Sequence, residues 1–213
     1  MSDRKHYKPY RDCLLSSGWG VLVPPVAEHA VTHAAADAFS QCWADLIVLA
    51  LFFYLRSCEY TKTNSHRHTT QFRFWDMQFH DDDGVIPAKA PAKVFLAASA
   101  VTLYLDTQKN CVCRESCTME ATGLPHGDPV TAAARCYLHL RLHDAPPDTP
   151  IFTYYVAPGA AQKLVTGSNI VFHLHATSRK IGFQRLGFHA HEIGSHSLHS
   201  GGPCPQQHHK NHW

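Results

Sequence analysis

Charge is scarce in this chain: 17% of its 213 residues are Asp, Glu, Lys or Arg, and the formal net charge at pH 7 is +2. The balance by itself selects no partner, neither a polyanion nor an acidic substrate. Long apolar runs are lacking as well. The longest, Leu46–Leu55, has ten residues, whereas a bilayer span takes about 20. It predicts a buried helix and no membrane partner. Met1–Arg11 is polar, and the apolar stretch of a secretory signal does not follow it. The expected location is therefore nuclear or cytoplasmic, where the eight scattered cysteines stay reduced. A last absence matters later: no tyrosine occurs after Tyr155.

What is present is enough apolar material, 45% of the residues, to build the core of one domain of ordinary size. The charges are also unevenly placed. Residues 1–148 carry 14 Lys/Arg against 16 Asp/Glu, while residues 149–213 carry 5 against Glu192 alone. Nine histidines in that second segment add positive charge as pH falls. A basic C-terminal third favours a polyanionic partner at that end.

The segment 1–33 reads as a short basic arm (Arg4, Lys5, Lys8, Arg11) and a connection, turn-rich from Gly18 to Pro25. From about Ala34 to Leu55 the pattern is helical. Its last three turns are apolar on all faces, which places the helix centrally. Phe72 and Phe74 alternate, then Trp75, Met77 and Phe79 alternate on the opposite parity, as a bulged strand would. Asp81–Gly84 is a turn. Val101, Leu103 and Leu105 predict a second strand ending near Asp106, with a hairpin tip at Gln108-Lys109-Asn110 returning through Val112.

Asp128-Pro129 is a helix start, a capping carboxylate before proline at the first helical position, and that helix should run to about His143. Ala145–Pro150 is a linker and Ile151–Tyr155 a short extended piece. One more helix should follow Ser168, and a last one should cover Ala190–His199.

The segments FYLRSCEYTKT (Phe53–Thr63), LYLDTQKN (Leu103–Asn110), PVTAAARCYLHLR (Pro129–Arg141), PIFTYY (Pro150–Tyr155) and LGFHAHEIGSHSLHSGG (Leu186–Gly202) occur in this order. Together they resemble the catalytic domain of the tyrosine recombinase (phage integrase) family, above all its diverged mobile-element members. The resemblance covers Ala34–Gly202. It implies a mainly helical fold with a small antiparallel sheet, closing on duplex DNA, with copies assembling on that DNA. It also implies a tyrosine that attacks a backbone phosphate, and no metal or other cofactor. Pentacoordinate phosphorus gathers negative charge, which guanidinium forks clamp, and a lysine can protonate the leaving oxygen. Arg56 matches the family's first arginine, Lys109 its hairpin lysine, and His196 the histidine that opens its His-x-x-Arg motif.

The departures are as informative as the matches. His199 stands where the motif has its second arginine. A neutral imidazole cannot form the bidentate fork, and losing one preorganised donor of this kind costs ~10²–10³ in rate. The family's nucleophile lies beyond this motif, where this sequence has no tyrosine. The remaining PCPQQHHKNHW (203–213) is His-rich, and Pro203 and Pro205 stop a helix. The expectation is a recombinase-like domain incomplete at its C-terminus, through a frameshift or truncation, and inactive in strand cleavage. Sequencing the DNA after the Gly202 codon in all frames tests this, because a shifted frame should encode a tyrosine-bearing helix.

Each residue also has a simpler explanation. Arg56 suits a helix C-terminus through the dipole, Lys109 suits a solvated turn, and His196 is one of 18 histidines. Glu59 would face solvent, the alternative being a pair with a nearby cation. From a different class, Cys111, Cys113 and Cys117 with the terminal histidines suggest a Cys/His metal-binding module without enzymatic activity. Structural zinc, however, wants four ligands in paired spacings such as Cys-x₂-Cys, which are absent. A non-enzymatic DNA-binding protein is the third reading.

Overall fold

The computed structural model describes residues 23–34, 37–53, 55, 57–62, 71–107, 113–124 and 127–182. Helix α1 (Val23–His33) is followed by α2 (Ala38–Phe52) and one short turn of helix, α3 (Ser57–Tyr60). A sheet region comes next, with β1 (Met77–Asp81), β2 (Gly84–Val85), helix α4 (Ala92–Leu96), β3 (Ala100–Thr107) and β4 (Cys113–Glu120). Helix α5 (Pro129–Leu142), the small strands β5 (Thr153–Tyr154) and β6 (Lys163–Leu164), and helix α6 (Gly167–Lys180) complete the described residues. The architecture is thus mixed, helices with a small antiparallel sheet of strand order β2-β1-β3-β4 and a second pair β5-β6.

Helix α2 forms for local reasons and is central for global ones. Asp37, in extended conformation, caps it: Oδ1 accepts from the Ser40 N–H at 2.9 Å. Every residue from Cys42 to Phe52 is buried, as the apolar character on all faces requires. Helix α5 packs alongside, capped by Asp128, whose Oδ1 accepts from the Thr131 N–H at 2.7 Å. Its start at Pro129 and its end at Leu142 agree with the sequence expectation. Helix α6 begins in a reciprocal box in which Thr166 Oγ1 accepts from Asn169 N–H and Asn169 Oδ1 from Thr166 N–H.

Alternation governs the sheet. Met77, Phe79, Val101 and Leu103 point into the core, and the register pairs Met77 with Leu103 and Phe79 with Val101. Behind them Tyr137 of α5 stacks on Phe95 of α4 at 4.9 Å between centroids and meets Phe79 edge-on at 5.3 Å. On the other face, Thr102 Oγ1 lies 2.8 Å from both His80 Nε2 and Thr118 Oγ1. The β1–β2 turn closes through the Asp83 N–H to Asp81 Oδ1 (3.0 Å), and Gly84 follows at φ +124°, a value that favours glycine.

Three expectations are corrected. The segment read as a connection contains α1, with Pro24 and Pro25 in its first turn, where a missing N–H costs nothing. Ala30 and Ala34 belong to the main core. The parity change between Phe74 and Met77 comes from a 3₁₀ turn over Phe74–Asp76, tied by Asp76 Oδ2 accepting from the Arg73 N–H at 2.9 Å, rather than from a bulged strand. Glu59 is 5% exposed and does not face solvent. The helix expected over Ala190–His199 lies outside the described residues.

Candidate functional site

The four residues that the resemblance singles out, Arg56, Lys109, His196 and His199, all lie outside the described residues. Their flanks are described. Helix α2 ends at Phe52, with Phe53 as its C-cap, and α3 starts at Ser57. Strands β3 and β4 pair from Ala100↔Glu120 to Thr107↔Cys113, so residues 108–112, Lys109 among them, join the two strands. Cys111 of the thiol cluster is likewise outside the described residues, and among those that are described no group of three or more His, Cys, Asp or Glu could hold a metal ion.

The described residues do bring together a polar cluster that the sequence analysis missed. It lines a cavity of about 320 Å³ between the end of α1, the first half of α2, the middle of α5 and the segment from Ile151 to Thr153. At its base Asp45 is 1% exposed and receives Arg135 from α5, with Nε 2.9 Å from Oδ1 and Nη2 closer still. Gln41 Nε2 donates to Asp45 Oδ2 at 3.0 Å. Burial pushes the Asp45 carboxyl up to about 6, against the lowering pull of Arg135 and Gln41. Arg135 is itself partly desolvated, which lowers it, yet Asp45 holds it above its ordinary value. Its side chain is 29% exposed, so it keeps part of its hydration while the carboxylate has lost nearly all.

Cys42 and Cys136 flank the pair, both buried, and burial pushes both thiols up. They stay protonated and inert, and act as apolar wall. His139 sits one turn along α5, where its Nε2 accepts the Tyr155 N–H at 3.0 Å. Thr153 is 1% exposed, and its hydroxyl has no hydrogen-bond partner among the described residues. One sequence signal did point here. Asp45 is the only charged residue of AFSQCWADLIVLALF, and a carboxylate in a helix apolar on all faces needs a buried partner. Which of the cations supplies that partner is not written locally.

Comparison with known protein families, with curated proteins and with solved structures gives no match.

Proposed function

We propose that this chain binds duplex DNA as a tyrosine recombinase-like domain that no longer cuts it. The observation that supports the reading is the order of elements around the matched residues. A buried helix ends just before Arg56, an antiparallel hairpin is joined through the segment holding Lys109, and two further capped helices lead to the segment holding His196 and His199. This order is the one that the resemblance requires of a fold that gathers those side chains at a scissile phosphate. The basic balance of residues 149–213 supplies attraction for the phosphate backbone. Within these 213 residues two parts of the chemistry are missing: His199 offers no guanidinium fork, and no tyrosine lies between it and Trp213.

Gel-shift titration on duplex DNA at two ionic strengths tests the binding. Affinity should be weak and should fall steeply with added salt, through counterion release. Lys109→Ala should weaken it further. Absence of binding even at low salt would remove this function.

A further inference from the structure

The outer edge of β4 carries an inference that does not rest on the DNA reading. We propose that it is a self-association site, where β4 of a second copy of this chain pairs antiparallel about a two-fold axis and continues the sheet.

The ladder decides which backbone groups are on offer. Ala121 N–H donates to Ser99 O at 2.7 Å, at the start of the β3–β4 pairing. Ile86 N–H donates to Phe79 O at 2.9 Å across the β1–β2 turn, which fixes the same alternation from the other side of the sheet. Hydrogen-bonded pairs of an antiparallel ladder fall on alternate residues. Between β3 and β4 they are therefore the odd pairs, such as Val101↔Met119 and Leu103↔Cys117. The backbone N–H and C=O of Arg114, Ser116, Thr118 and Glu120 point outward. Among the described residues no strand lies beyond them, since β4 ends the order β2-β1-β3-β4, and no backbone group bonds to them from that side. Such a row templates another strand unless the edge is short, bulged or interrupted by proline. β4 has eight residues, Cys113–Glu120, with neither glycine nor proline. The opposite edge is blunted: β2 has two residues, and Pro87 follows Ile86.

Symmetry then selects the occupant and the register. In a two-fold pair, residue i of one copy faces j of the other, and j faces i. Centring the pair on Cys117 sets Arg114 opposite Glu120 and Ser116 opposite Thr118, so all four outward residues of each copy find a partner. Every other centre leaves at least one outward residue of each copy without a partner in β4. The register that makes the most hydrogen bonds also sets a basic position against an acidic one, twice in each dimer. Opposite charges facing across strands stabilise a pair, and like charges weaken it. Ser116, Thr118 and Glu120 are all exposed.

The test is sedimentation equilibrium on the full chain without DNA, in reducing buffer with a chelator. The unaltered protein should show a monomer–dimer equilibrium. Ser116→Pro removes an outward N–H and no bond of the β3–β4 ladder. It should be monomeric, with an unchanged far-UV spectrum. A charge test leaves the backbone as it is. Arg114→Glu and Glu120→Arg each set like charges opposite one another, and each should dimerise at least about tenfold more weakly. Mixing these two variants sets unlike charges opposite again and should restore the dimer as a heterodimer. If Ser116→Pro alters the spectrum, the charge variants decide alone. A protein that stays monomeric up to about 1 mM overturns the proposal. So does a folded Ser116→Pro variant that dimerises as tightly as the unaltered chain, or a mixture no tighter than either charge variant by itself.

Discussion

Arg135 of α5 reaches Asp45 of α2 across 90 positions of sequence, with Nε 2.9 Å from one carboxylate oxygen and 3.2 Å from the other. The pair joins two helices that together carry nearly half of the buried core. Removing one partner strands the other: Arg135→Met leaves a carboxylate at 1% exposure beside apolar wall. Breaking a buried pair in this way costs about 3–5 kcal/mol. Chemical denaturation of Arg135→Met should show a loss of that size. The double variant Asp45→Leu with Arg135→Met should recover most of it, because apolar residues of similar volume replace such pairs at little cost. Equal losses in the single and double variants would show that packing, not charge, dominates here.

The cap of α5 should be costly to lose. Asp128 accepts from the Thr131 N–H through Oδ1 and from the Thr122 N–H (2.6 Å) and hydroxyl (2.9 Å) through Oδ2. Burial tends to raise this carboxyl, but these donors hold it below its ordinary value. Asp128→Ala should cost about 2 kcal/mol, the upper end for a lost N-cap, and Asp128→Asn less. Urea melts of the two variants give the comparison, and identical losses would rule out the cap as the cause.

Protonation of His139 should weaken the fold as pH falls below neutral. Burial, then the neighbouring His143, hold the His139 imidazole below its ordinary value, and its Nε2 accepts a backbone N–H that a protonated ring cannot serve. A histidine lowered in the folded state contributes stability above its unfolded value of ~6.5, and that stability is lost as pH falls through the lower folded value. His29 and His173 are lowered as well and act in the same direction. Asp45 acts oppositely. Its folded value of about 6 lies above the unfolded ~3.9, so the stability it contributes grows as pH falls through 6. His139→Gln keeps an acceptor for the Tyr155 N–H and does not titrate. Its Tm should fall less than that of the unaltered protein between pH 7.5 and 5.5. An unchanged pH slope would acquit His139.

Strand cleavage should be absent. A duplex nicked beside a recombinase's scissile phosphate traps its phosphotyrosyl adduct, and this chain should trap none. His199→Arg alone should not rescue the reaction, since a stabilised transition state still lacks an attacking oxygen. A covalent adduct on denaturing gels would overturn the inactive reading. Single Tyr→Phe changes, from Tyr7 through Tyr155, would then find the recruited residue.

The sequence by itself determined whatever is encoded within a few residues. Asp128-Pro129 announces α5 because a capping carboxylate and a preset φ act locally. Val101 and Leu103 announce β3 because pleating alternates side chains, and the run Leu46–Leu55 announces a buried helix because no face of it is polar. Only the tertiary structure decided the rest. Pro24 and Pro25 read as breakers until their place in the first turn of α1 made them harmless. A 3₁₀ turn and a bulge give the same parity shift, and only the Arg73–Asp76 contact distinguishes them. Asp45 demanded a partner, but packing, not periodicity, set α5 against α2 and brought Arg135 to it. The cavity beside the pair follows from that packing, because its walls come from segments more than a hundred residues apart that share no local pattern.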